Sequence, residues 1–113
     1  MFRGEIWLTN LEPTIGAEIR KKRPAVIIND DAAGILPLKI VVPITDWKER
    51  YEKIAWMVKI EPDAANNLDK VSAIDAFQIR CVSEQRFVKR IGQISNKTSN
   101  ELTATLAKVL RIK

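Results

Sequence analysis

The apolar residues of this chain come in short, β-branched runs, and that pattern constrains its fold more than any other feature. Ala25 to Ile28 and Ile40 to Ile44 are long enough for buried strands and far short of the ~20 residues that cross a bilayer. Around them the period is two. In "EIWLTNL" Ile6 and Leu8 alternate with Trp7 and Thr9, as in a half-buried strand. "PAVIIND" offers no polar side at Val26, Ile27 and Ile28, which predicts a strand buried on both faces and closed by the turn residues Asn29, Asp30 and Asp31. "LPLKIVVPIT", Leu36 to Thr45, predicts another, with Pro43 confining it to an edge or a bulge. Tyr51 to Ile60, Val71 to Val82 and "RFVKRIGQIS" read as further strands.

Two loops and one helix complete the pattern. Pro13 and Gly16 punctuate a polar stretch from Glu12 to Arg23 that predicts a mobile lid, and "PDAANNL" predicts a second loop. Near the carboxy end the period changes to that of a helix. Thr98 and Glu101 form a capping-box pattern, and Leu102, Leu106, Val109 and Leu110 share one helical face. Five to seven short strands and one helix in 113 residues predict a single domain over residues 1–113. Its class is mainly β: a small, strongly curved antiparallel sheet or barrel with a C-terminal helix.

Composition narrows the partners. Nineteen basic against 14 acidic residues leave a net charge of +5, with cations gathered at Arg20 to Arg23, Arg86 to Arg90 and Arg111 to Lys113. Such clusters favour a polyanion, although each one alone also reads as a solvated face. The single Cys81 forms no intrachain disulfide, and with no histidine the usual zinc ligands are missing, so neither a metal nor another cofactor is expected. The charged start "MFRGEIW" lacks the apolar stretch of a signal peptide, which predicts a cytoplasmic protein with no membrane partner.

Four positions suggest a site. Pro24 pushes Arg23 into extended backbone and so directs a planar fork of donors suited to phosphate, while Lys21 and Lys22 are less directional charges. A surface ion pair is the alternative for Arg23. Thr45 ends "VVPIT" where its hydroxyl can donate to a phosphate oxygen, or where it merely reflects β-propensity. In "QIR", Gln78 and Arg80 share one strand face, and Trp47 and Trp56 read either as base-stacking or as core residues.

In this order, "RGEIWLTNLEPTIGAE", "RPAVIIND", "VVPIT" and "FQIRCVSEQRFVKRIGQIS" resemble the MazF/PemK family of toxin endoribonucleases, over residues 3–95. The resemblance implies a PemK/CcdB-type barrel, a homodimer, metal-independent cleavage of single-stranded RNA at short motifs, and neutralisation by a cognate, MazE-like antitoxin with an acidic flexible segment. It puts the catalytic arginine on Arg23, the catalytic threonine on Thr45, a loop acid near the substrate on Glu18 and an RNA-holding role on Gln78, and the charges of Arg20, Lys21, Lys22 and Arg80 are expected to hold RNA beside them. Phe77 stands where several members carry an acid, and no histidine follows the first strand, which leaves the bases read and the general acid and base open. Two rivals remain: a CcdB-like poison that binds gyrase without turnover, and a nucleic-acid-binding module that does not cleave.

Overall fold

The computed structural model describes residues 1–33 and 36–113. Seven antiparallel strands, β1 (Glu5–Asn10), β2 (Lys22–Ile27), β3 (Leu38–Asp46), β4 (Met57–Ile60), β5 (Ser72–Asp75), β6 (Arg80–Ser83) and β7 (Phe87–Gln93), precede one helix, α1 (Asn96–Val109). They form one sheet in the order β4-β5-β3-β2-β1-β7, with β6 also paired to β3. β2 lies inside it and is buried on both faces, as its apolar run requires. Val26 joins Ile6, Val42, Ile44, Ile74 and Leu102 in the larger core, whereas Ala25 and Ile27 join Val41 and Val82 on the opposite face under Trp7 and Phe87. α1 covers the larger core with Leu102, Leu106 and Val109. Burying Leu102 alone contributes roughly 1.5–3 kcal/mol.

Several expected boundaries move. β2 begins at Lys22 rather than Pro24. Tyr51 to Ile60 is not one strand: Glu49–Lys53 coils as a 3-10 turn, and only Met57–Ile60 joins the sheet. The Tyr51 ring meets Trp47 edge-on at 5.9 Å, which folds this turn back onto the end of β3. Ser95 caps α1 by accepting from Thr98 N at 3.1 Å, so the helix starts ahead of the Thr98–Glu101 pattern. Leu110 falls beyond its last turn and is half exposed.

Val71 to Val82 divides into β5 and β6, which run end to end along one edge of β3. Between the Ile44–Ile74 and Val41–Arg80 pairs, only Val42 and Pro43 face the whole segment from Asp75 to Ile79. The surplus coils into a 3-10 turn, Ala76–Gln78. Pro43 has no amide hydrogen with which to hold a partner at this point, so the bulge sits where the ladder is weakest. It does so in a central strand, not at an edge.

Strand pairing does not close the sheet into a barrel: β4 and β7 are its two ends. The connection over residues 61–71 spans the gap instead. Gln93 N donates to Ala65 O at 3.0 Å, and Asn67 Nδ2 donates to Ile91 O at 2.9 Å. Asn66, 1% exposed, braces this loop by accepting from Asp63 N and Leu68 N and donating to Glu61 O. Among the described residues, no helix is long and apolar enough to cross a membrane.

Candidate active site

The register that pairs Ala25 with Pro43 sets Arg23 opposite Thr45 when it is continued two residues outward. On its other side Arg23 pairs with Thr9 of β1, and Thr9 with Phe87 of β7. Directly opposed residues in an antiparallel sheet share a face, so Thr9, Arg23 and Thr45 form a row across three strands. Thr9 is fully buried and donates its hydroxyl to Trp7 O at 2.9 Å. Arg23 is half-buried, and among the described residues its Nε hydrogen is buried with no acceptor. An unmatched donor of this kind costs about 1–3 kcal/mol, and more when charged.

Three depressions adjoin this row. One, of about 440 Å³, is lined by Ala17 to Lys21 together with Arg23 and Thr45, so it gathers Glu18, Arg20, Lys21 and both members of the pair. A second, of about 530 Å³, lies across the same wall and adds Lys22, Lys70 and Lys89. Lys70 is held at 3.2 Å by Asp46, next to Thr45. The third, of about 350 Å³, is more apolar: Leu11, Pro43, Phe77 and Ile79 meet Gln78 and Arg80, and it shares Ala17 to Ile19 with the first. Beside it Phe77 and Trp56 form an exposed aromatic pair with ring centroids 5.4 Å apart. Trp47 instead packs on Tyr51 and carries Lys59 over its ring at 5.0 Å.

The β1–β2 loop, expected as a free lid, is tied along its length. At its root Leu11 N donates to Lys21 O at 3.0 Å, and Lys21 N to Glu12 Oε1 at 2.8 Å. That bond from Lys21 N holds the Glu12 carboxyl below its ordinary range. Lys21 takes φ 68°, a left-handed turn within the run of cations from Arg20 to Arg23. Arg80 donates to Leu11 O at 3.1 Å, and Arg86 to both Asn10 O and Glu12 O. At mid-loop Gln78 accepts from Ile19 N at 2.6 Å and donates to Ala17 O at 3.2 Å. Glu18 caps its own turn through Oε1, which accepts from Ile15 N at 2.7 Å.

All eight residues read from the sequence therefore line these adjoining depressions. Gln78 and Arg80 do not share a strand face as expected, because Gln78 ends the 3-10 turn and Arg80 opens β6. Sequence reasoning missed Lys70, an isolated cation, and the loop anchors Glu12 and Asp75, and it noted Arg86 and Lys89 only as members of the Arg86 to Arg90 cluster. Asp75 had one signal, an acid inside the apolar stretch "SAIDAF". It is 5% exposed, and desolvation pushes its carboxyl upward against the bonds it accepts from Phe77 N and Gln78.

Comparison with known proteins gives a consistent picture. The model of the family described as the PemK-like, MazF-like toxin of type II toxin-antitoxin systems matches residues 2–110. The endoribonuclease MazF9 of Mycobacterium tuberculosis is 30% identical over 101 residues, covering 84% of this chain and 83% of that protein. The endoribonuclease MazF of Staphylococcus saprophyticus is 31% identical over 102 residues, covering 90% and 84%. Among solved structures, MazF of Deinococcus radiodurans superposes with a TM-score of 0.81 at 19% identity, over 99% of this chain and 97% of that one. A mycobacterial endoribonuclease in complex with its cognate antitoxin gives 0.79 at 18% identity, over 100% and 97%.

Proposed function

The chain belongs to the PemK-like, MazF-like toxin family of type II toxin-antitoxin systems, and from that premise we propose that it is a toxin endoribonuclease that cuts single-stranded RNA around Arg23 and Thr45. The observation that carries the site assignment is that Arg23, whose buried Nε is unmatched among the described residues, lines one depression together with Thr45. Arg23 also lines the open depression beyond, and a guanidinium so placed is suited to an anion supplied by substrate.

RNA brings its own nucleophile. The 2′-oxygen attacks the adjacent phosphorus, the bond from phosphorus to the 5′-oxygen breaks, and the products are a 2′,3′-cyclic phosphate and a 5′-hydroxyl. Arg23 neutralises charge on the phosphoryl oxygens and Thr45 donates a second hydrogen bond to them. Arginine keeps its proton to above pH ~12, so it is no efficient base. Glu18 accepts the 2′-hydroxyl proton on Oε2, the oxygen not used to cap Ile15 N, and solvent returns a proton to the leaving 5′-oxygen. Arg20, Lys21 and Lys22 draw in the backbone. Gln78 and Arg80 hold RNA from the neighbouring depression. These steps involve no metal.

The remaining assignments follow the same reading. A homodimer is supported by the exposed Leu38 and Ile40, which share one face of β3. The partner antitoxin carries an acidic flexible segment that crosses the cations flanking Arg23. The PemK/CcdB-type barrel is supported by the 61–71 loop that bridges β4 to β7. A toxin of RNA works in the cytoplasm.

The test is incubation of the protein with a long single-stranded RNA in EDTA, beside Arg23→Ala. Cuts at a repeated short motif, leaving cyclic phosphate and 5′-hydroxyl ends and lost in the variant, are expected. Intact RNA overturns the assignment: inhibition of gyrase supercoiling would then point to a CcdB-like poison, and salt-sensitive retention of uncut RNA to a binding module.

A further inference from the structure

Asp75 ends β5 almost wholly buried, yet Glu18, Arg23 and Thr45 do the work assigned to the site without it. Its two carboxylate oxygens receive two different donors. Oδ1 accepts from Phe77 N at 3.1 Å, and Oδ2 accepts from Gln78 Nε2 at 3.2 Å. The same Gln78 amide reaches the loop about sixty positions away in sequence, accepting from Ile19 N and donating to Ala17 O. Ala17, Glu18 and Ile19 form one wall of the depression that holds Arg23 and Thr45.

The chemistry of this chain of bonds runs in one direction. An ionised carboxylate is acceptor-only, so it receives two N–H groups at once. An asparagine there has one acceptor. With that oxygen on Phe77 N, its NH2 would face the NH2 of Gln78, and the Gln78 amide would have to turn over. It would then present Nε2 to Ile19 N, donor against donor, and the loop would lose its mid-length tie. A buried carboxyl costs several kcal/mol in desolvation, so a carboxylate that only capped a three-residue turn would be an expensive choice over asparagine. We propose that Asp75 is a positioning residue: by fixing the orientation of the Gln78 amide it holds Ala17 to Ile19 against the Arg23–Thr45 pair. Its kinetic consequence rests on the RNA-cleavage reading above, and its structural consequence does not.

A swap of acid and amide tests it. Asp75→Asn, Gln78→Glu and the double variant are compared by amide exchange at Ile19 and by kcat and KM for RNA cleavage. Each single variant is expected to speed Ile19 exchange roughly tenfold, the size of one hydrogen bond, and to lower kcat/KM by a comparable factor. In the double variant the new asparagine caps Phe77 N and donates to the new glutamate, which still accepts from Ile19 N but no longer donates to Ala17 O. Ile19 exchange should therefore be slower in the double variant than in Asp75→Asn, a coupling that a separate role for each residue would not produce. Failure of Gln78→Glu to repair Asp75→Asn, in a double variant that melts cooperatively, overturns the proposal. Should Asp75→Asn prevent folding, Gln78→Leu serves alone, because it leaves the Asp75 cap intact. Unchanged Ile19 exchange in that variant overturns the proposal equally. A parent protein that cuts no RNA would refute the enzymatic reading while the exchange data still decide this one.

Discussion

Continued two residues beyond the Ala25–Pro43 pair, the β2–β3 register sets Arg23 opposite Thr45, and among the described residues the Arg23 Nε hydrogen is buried without an acceptor. The fold thus tolerates an unmatched donor on a residue that lines two open depressions. Function and stability should therefore separate at this residue. Arg23→Met is expected to lower RNA cleavage by about 10²–10³, the loss typical of one oxyanion donor, while leaving stability equal to the parent or about 1 kcal/mol higher. Urea denaturation beside a cleavage assay measures both. A strongly destabilised variant would show that the guanidinium serves the fold.

The fold was legible where one residue sufficed to define it, and the site where motif and register coincided. Val26 and Ile27 leave no polar side to β2, so burial on both faces followed from the run itself. The break of Val71 to Val82 into β5 and β6 did not, because it depends on Pro43 in another strand. Arg23 and Thr45 were each ambiguous locally, and only the β2–β3 register makes them neighbours. The anchoring of the loop by Gln78, Arg80 and Arg86 joins residues 59 or more positions apart, a distance at which side-chain type carries no information about partner.

Salt dependence offers a second test. Lys89 lines the depression beyond Arg23, with Lys22 and Lys70, and makes no ion pair among the described residues. Each phosphate neutralised on a single strand steepens the plot of log affinity against log salt by ~0.7. Lys89→Ala should flatten that slope by about one such unit and weaken all RNA sequences alike. Titration of RNA at several salt concentrations reads it, and an unchanged slope would remove Lys89 from the RNA path.

Acid should loosen the loop through Glu12. Its carboxyl is held below the ordinary value of 4.5 chiefly by the bond from Lys21 N. A depressed folded-state value means the contribution is complete above about pH 4.5 and is lost as pH falls through the folded value. Glu5 is depressed as well, so the comparison must be differential. The gap in melting temperature between the parent and Glu12→Gln is expected to shrink as pH falls from about 5 to about 3. A constant gap would mean that the charge on Glu12 is irrelevant to the loop root.

Gly92 permits the contact that spans the open sheet. A Cβ built there would lie 2.3 Å from Ala65 O and 2.7 Å from Asn66 O, both backbone atoms that no rotamer change can move. Gly92→Ala should destabilise by about 1–3 kcal/mol or more, as overpacking does. Residues 61–71 should become accessible to protease in the same variant. Parent-like stability would show that the bridge from this loop to β7 contributes nothing.

Phe77 is where the choice of bases should be most sensitive. It is 63% exposed, so its removal costs the fold little, yet with Trp56 it forms an aromatic ledge on the depression that adjoins the site through Ala17 to Ile19. Stacking on such a ledge is worth ~1–3 kcal/mol per base and tolerates any base, while hydrogen bonds from Arg80 nearby discriminate among them. Phe77→Ala should therefore weaken cleavage at every site about 10-fold or more, with the ranking of motifs largely kept. Phe77→Asp, which installs an acceptor at the same point, should change the ranking itself. Sequencing of the 5′ ends produced from one long RNA by the parent and both variants separates the two effects. Identical cut-site profiles in all three would place the bases elsewhere on the surface.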